Sequence, residues 1–224
     1  PKGCFQVVLA NHDQIEKLIE HDAIKAVSLT GSEKAGRSIA AIAGKNLKKC
    51  VLELGGNNAC IVLDDADLDT YFDVMFNARM QNTGQSCIAA KRFIVTKGIY
   101  DEFIERFKKQ TDELKFGNPM EENTTIGTLA RTDLADILKE QVDKSVQKGA
   151  KLIKGNTRKN AYFEPTILEN VNSGMPVFDE ETFGPVAAII KAKDTREAFE
   201  LAHDSKFGLG TMVFTQDIDK INDY

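Results

Sequence analysis

Two side chains carry the most reactive chemistry in this chain. Cys87 closes the run NTGQSC (residues 82–87), after small and polar residues that suit a loop presenting a thiol, whereas Cys60 is flanked by Ala59, Ile61 and Val62. A free thiol ionises near pH 8.5, so a nucleophilic cysteine needs exposure and help in losing its proton. Glu53 ends the apolar run VLEL (51–54), just before Gly55-Gly56. An unpaired carboxylate is costly to bury, and burial raises its proton affinity toward the range a general base uses. Together they suggest nucleophilic attack assisted by a base. Each has a simpler reading as well, an inert thiol and a strand-end carboxylate that reaches solvent, and taken singly the simpler reading is preferred for both.

Two further segments suit ligand binding. In LTGSEKAGR (29–37) a strand feeds Gly31, Ser32 and Gly36 at the start of a helix. Backbone N–H groups and the helix dipole there favour a phosphate, although the spacing is not GxGxxG, so the usual dinucleotide fingerprint is absent. In DEETFGPV (179–186), Glu181 and Phe183 stand before a tight Gly184-Pro185 turn. A carboxylate and a ring at such a turn can meet hydroxyls and a planar group. The alternatives are an ordinary capped helix start and an exposed acidic loop.

The elements that must position these residues alternate in period. Ile15, Leu18 and Ile19 share one helix face, residues 26–30 read as a strand, and residues 33–47 recover helical periodicity. Residues 49–54 and 59–63 are extended runs separated by GGNN. A helix is expected over 67–81, a strand over 92–96, and a helix over 99–114 with Phe103, Ile104 and Phe107 inward. Gly117-Asn118-Pro119 stops that helix. A helix over 131–148, a short strand KLIKG, a hairpin or loop through Asn160, strands in FEPTIL, VAAII and TMVF, a helix from Thr195 to His203, and a helix beginning at Asp217 complete the pattern. The alternation predicts an α/β fold: a mostly parallel open sheet flanked by helices, Rossmann-like. Gly55-Gly56 is the expected boundary, giving segments 1–56 and 57–224.

In order along the chain, TGSxxxG, ELGGNN, NTGQSC and EETFGPV form a set that resembles the aldehyde dehydrogenase superfamily, as do the 34-residue gap between Glu53 and Cys87 and the closing KFGLGTMVFTQD. The resemblance runs from Pro1 to Tyr224. NTGQSCIAAKRFIV with IGTLARTDLADILKEQVDKSVQKGA is most similar to bacterial succinate-semialdehyde dehydrogenases. It implies that 1–56 is the C-terminal portion of an incomplete NAD(P)-binding domain and 57–224 a catalytic domain truncated at its C-terminal end. It further implies that the Cys87 thiolate attacks the aldehyde, that Glu53 activates the water that hydrolyses the thioester, and that the backbone N–H of Cys87 meets the oxyanion. Covalent capture holds the carbon in place, and deacylation needs a base. For the cofactor, NAD or NADP, it implies Gly31 and Ser32 at the pyrophosphate, Glu181 on the nicotinamide ribose, Phe183 at the ring, and Leu54 and Gly55 facing the nicotinamide. No metal is called for. A cytoplasmic homo-oligomer, dimer or tetramer, acting on a small aldehyde is the expected setting, and these residues alone are expected to be nearly inactive.

Composition agrees with that setting. Basic and acidic residues number 29 and 34, for a net charge of −5 without like-charge blocks, so neither nucleic acid nor an anionic membrane is an expected partner. No apolar stretch is long enough to span a bilayer. The four cysteines lack CxxC or metal-ligand spacing, which suits a reducing compartment. Three rivals stand beside this reading: a CoA-acylating or glyceraldehyde-phosphate-type enzyme on the same fold, a cysteine hydrolase using His12, His21 or His203, and a non-catalytic assembly fragment.

Overall fold

The computed structural model describes residues 1–222 and 224. It divides into two units, Pro1–Gly55 and Gly56–Tyr224. In the first, the apolar periodicity becomes α1 (His12–Glu20), β1 (Ala26–Thr30), α2 (Glu33–Lys45) and β2 (Lys49–Glu53). Asn11 and Gln14 start α1 with a capping box, each side chain bonding the other's backbone N–H. β1 and β2 pair in parallel from Ala26↔Lys49 to Thr30↔Glu53, an arrangement that needs a crossover, supplied here by α2. Gly36 permits close packing of that crossover: a Cβ there would stand 2.6 Å from Leu54 Cδ2. α2 stops at Lys45, two residues before the expected end, because Leu47 takes a left-handed φ of 53° that no helix continues.

The second unit is built on a six-stranded sheet of β3 (Asn58–Val62), β4 (Ala90–Thr96), β5 (Lys151–Lys154), β8 (Thr166–Glu169), β9 (Val186–Ala192) and β10 (Thr211–Phe214), with a small hairpin β6 (Arg158–Lys159) and β7 (Tyr162–Phe163) apart from it. The order is β10-β3-β4-β9-β8-β5, parallel except for β5, which runs antiparallel to β8. The helices are α3 (Leu68–Met80), α4 (Tyr100–Asp112), α5 (Thr132–Gln147), α6 (Pro176–Asp179) and α7 (Thr195–His203). β3 and β4 are buried at every position, because helices cover both faces and the strands read as continuous apolar runs. Successive residues go to opposite faces: Ala59, Ile61, Ile94, Ala188 and Ile190 pack with α5, α6 and α7, while Cys60, Val62, Phe93, Val95, Ala187 and Ile189 pack with α3 and α4. On the second face Phe72, Phe76, Phe93, Phe103 and Phe107 form a ring cluster, with Phe93 and Phe107 centroids 5.3 Å apart. Burial pushes the Cys60 thiol far up, which makes it an inert core residue.

Two expectations need correction, and one element was missed. The strand foreseen in FEPTIL begins only at Thr166, since Phe163 belongs to the hairpin and Pro165 has no N–H to add to a ladder. The helix expected from Asp217 is one tight turn, Ile218–Ile221. The four-residue α6 was not foreseen, being too short to establish a period. Among the described residues no helix is long and apolar enough to cross a membrane.

The ring cluster yields a stability prediction. Phe107→Ala removes a fully buried ring at the centre of five aromatic side chains and should cost about 3–5 kcal/mol. Loss of near-ultraviolet dichroism at lower denaturant concentration is the readout, and an unmoved midpoint contradicts this account of the core.

Candidate active site

The candidates fall into two groups, one in each unit. In the first, Gly31 and Ser32 join β1 to α2. The Gly31 N–H donates to the Glu53 carbonyl at 3.0 Å, so this amide is committed to tying the turn to the end of β2. Ser32 is the N-cap of α2, its hydroxyl accepting the Ala35 N–H at 3.3 Å. Any phosphate contact from this turn therefore comes from Ser32 and the first helical turn, where Glu33 is already paired with Arg37. Leu54 packs on Gly36 and Gly55 is half-buried. Glu53 is exposed and not buried as its apolar neighbours suggested: alternate residues of β2 face solvent, and Glu53 is one of them.

In the second unit, α3 ends at Met80 and the chain turns through Asn82, Thr83 and Gly84 with φ of 53°, 57° and 71°. Three consecutive left-handed residues, one of them β-branched, are strained and persist only where surroundings hold them. Gly127 donates its N–H to the Thr83 hydroxyl at 3.3 Å, and Asn82 and Gln85 bond each other's carbonyls at 2.9 and 3.1 Å. Gly84 has no room for a side chain, since a Cβ would meet the Gly184 backbone and lie 2.7 Å from Arg79 Nη2. That close approach brings NTGQSC and EETFGPV together.

Beyond the turn the backbone carbonyls are held by buried donors. Arg79, fully buried, donates to Gly84 O at 2.5 Å. Lys91 donates to Ser86 O at 2.8 Å and Cys87 O at 2.9 Å, and Asn58 donates to Cys87 O at 2.8 Å and Ala89 O at 3.2 Å. Cys87 is left half-buried beside the exposed Ile88, and among the described residues nothing accepts its N–H. Glu181 enters the same cluster. One carboxylate oxygen takes Lys91 Nζ at 3.0 Å and the Gly56 N–H at 3.2 Å, while the other takes no hydrogen bond from the described residues. Burial lowers the proton affinity of both cations, with Glu181 opposing it in each case, and the Arg79 guanidinium is pushed down to about 9. Phe183 is 36% exposed and so able to face a ligand. A groove of about 590 Å³ is lined by residues that include Gln81, Asn82, Gln85, Ser86, Ile88 and Met212; Cys87 itself is not in the lining, though its chain neighbours Ser86 and Ile88 are, and no charged side chain is.

Sequence reasoning did not single out Lys91, Arg79 or Asn58. The available signal was Lys91-Arg92 in the otherwise apolar AKRFIVT, since two cations entering a strand buried on both faces need a stated purpose. His12, His21 and His203 are all exposed, and His203, the one histidine of the second unit among the described residues, does not hydrogen-bond Cys87, so no cysteine-hydrolase dyad forms within that unit. Among the described residues no group of three or more His, Cys, Asp or Glu converges as a metal site.

Comparisons with known proteins bear on family and fold. The family model described as the aldehyde dehydrogenase family matches residues 1–224. The succinate semialdehyde dehydrogenase [NAD(P)+] of Escherichia coli K12 is 47% identical over 220 residues, covering 97% of this chain and 48% of that protein. The succinate-semialdehyde dehydrogenase [NADP(+)] of Deinococcus radiodurans is 43% identical over 223 residues, covering 98% and 47% respectively. Among solved structures, succinic semialdehyde dehydrogenase from Streptococcus pyogenes in complex with NADP+ superposes with a TM-score of 0.91 at 38% identity, over 96% of this chain and 48% of that one. The Burkholderia pseudomallei succinate-semialdehyde dehydrogenase gives 0.95 at 33% identity, over 100% and 47%. The chain spans about half the length of the relatives it matches. On residues, fold and family model alike, the chain belongs to the aldehyde dehydrogenase family.

Proposed function

We propose that this chain carries the nucleophile, the general base and part of the cofactor site of an NAD(P)-dependent aldehyde dehydrogenase, with succinate semialdehyde as its substrate. The observation that carries the reading is the Cys87 loop: the Ser86 and Cys87 carbonyls are both turned onto buried donors, and among the described residues neither the thiol nor the Cys87 N–H has a hydrogen-bond partner. In this reading residues 1–56 are part of the NAD(P)-binding domain and 57–224 part of the catalytic domain, and the protein works as a cytoplasmic homo-oligomer.

The Cys87 sulfur adds to the aldehyde carbon, and the Cys87 N–H stabilises the oxygen as it gains charge. Bound NAD(P) supplies the acceptor for the aldehyde hydrogen. Glu53 then takes a proton from the water that attacks the thioester on Cys87, releasing the carboxylic acid and the thiol. For the cofactor, the residues fit in three respects: the capped N-terminus of the 13-residue α2 suits phosphate, the open oxygen of Glu181 suits a ribose hydroxyl, and Phe183 is exposed enough to border a ring. Leu54 and Gly55 are cofactor residues in this reading as well. The substrate assignment draws on the relatives' names and on the amide of Gln81 in the groove, which can donate to a distant carboxylate.

Three substitutions in the complete polypeptide test the proposal. Cys87→Ser should lower aldehyde-dependent NAD(P)H formation about a thousandfold or more, and near-parental turnover refutes the nucleophile. Glu53→Gln should keep a first-turnover burst and slow the steady state about a hundredfold; a lost burst with no steady-state bottleneck moves the base elsewhere. Gln81→Leu should lower kcat/KM for succinate semialdehyde about tenfold and leave butyraldehyde unchanged, whereas equal losses on both remove Gln81 from substrate selection.

A further inference from the structure

Lys91 occupies an unusual position in the sheet. β3 and β4 pair Asn58 with Ala90 and then Ala59 with Arg92, so Lys91 is skipped. It is the extra residue of a bulge between parallel strands, a rare feature that re-aims a side chain and recurs beside active sites. The re-aimed side chain is fully buried, and its ammonium meets Ser86 O at 2.8 Å, Cys87 O at 2.9 Å and Glu181 at 3.0 Å. An ammonium has three protons and no acceptor, so each proton has its own partner. Two partners belong to the loop of the reactive thiol and the third is the carboxylate with an open oxygen. Asn58 and the Gly56 N–H brace the same two groups from the start of β3.

We infer that Lys91 is a positioning residue that yokes Glu181 to the Cys87 peptide, so that the carboxylate meeting the cofactor and the backbone presenting the nucleophile are set by one ammonium. The inference rests on the reading of Cys87 as nucleophile and Glu181 as a cofactor ligand. It adds a connection between them. The ammonium holds the Ser86 carbonyl inward, which across the trans Ser86–Cys87 peptide keeps the Cys87 N–H outward. It also fixes which oxygen of Glu181 is spent on the protein, leaving the other for the ligand. A structural lysine would bear on folding alone. A yoke acts on cofactor binding and on the thiol together.

The test uses Lys91→Met, Glu181→Gln and the double variant in the complete polypeptide, with steady-state kinetics and the iodoacetamide alkylation rate of Cys87 without cofactor, followed by peptide mass. Lys91→Met should raise the KM for NAD(P) about tenfold, the scale of one charge-assisted hydrogen bond, while the aldehyde KM stays within about twofold. The double variant should raise the cofactor KM no further than Lys91→Met does, because both changes break one unit. Cofactor KM unchanged in Lys91→Met, whatever happens to kcat, overturns the inference, and so do single effects that multiply in the double variant. Should Lys91→Met fail to fold, Glu181→Gln decides the question alone. It lies far from Cys87 in sequence, yet its alkylation rate should rise about threefold or more as the loop loses part of its brace; an unchanged or lower rate overturns the yoke. A Glu181→Gln enzyme with parental cofactor KM would instead refute the ribose reading, and the alkylation rate still reports on the yoke.

Discussion

Two adjacent buried cations at the start of β4 govern the unit that begins at Gly56. Arg92 donates to the carbonyls of Asn57, Leu201, Ala202 and Asp204 at 2.8–3.2 Å and lies over the Phe178 ring at 5.1 Å. It thereby closes the C-terminal end of α7, where a positive charge is favoured, and holds the residue that leads into β3. Lys91, pushed out of register by the bulge, turns to the Cys87 loop and to Glu181. Charge this deep is tolerable only when hydrogen bonds replace water. Most of the replacements are backbone carbonyls, which accept in only a narrow range of positions. The requirement to satisfy two cations therefore becomes a requirement on the path of several loops.

Those loops share one edge of the sheet. Cys87 precedes β4, Glu181 precedes β9, and Gly56 to Asn58 open β3, so the candidate residues of the second unit lie at the N-terminal ends of its parallel strands. The first unit does the opposite. Thr30 and Glu53 end β1 and β2, and Gly31 and Ser32 follow at the start of α2, the carboxyl edge at which open α/β sheets usually receive ligands. Each unit thus offers one chemical edge, of opposite sense in the two.

The strain in the Cys87 loop is carried by ordinary packing. Met75, Phe76 and Met80 anchor α3 in the aromatic face of the core, which fixes where the helix must stop and the left-handed run through Gly84 must begin. Arg79, on the last turn, reaches Gly84 from inside. The Gly84–Gly184 approach then excludes any side chain between the two loops. A region with fewer buried contacts would relax to a commoner backbone and withdraw the thiol.

Much of the fold was legible in the chain because period-2 and period-3.6 patterns are local properties: β1, α2, β4, α4, α5, α7 and β9 lie close to where their residues put them. The motif set around Ser32, Glu53, Cys87 and Glu181 was legible for a different reason, as ordered short strings whose combination is rare. Other features had no local signature. The antiparallel β5, the bulge at Lys91, the capture of the Gly31 N–H by Glu53 O and the exposure of Glu53 all depend on partners distant in sequence. A lysine inside an apolar strand announces that a cost must be met, but the acceptors that meet it are assembled only when β3, β4 and the segment before β9 come together. Residue types determined which reactive groups exist, and packing between remote segments determined which of them are held, braced or left open.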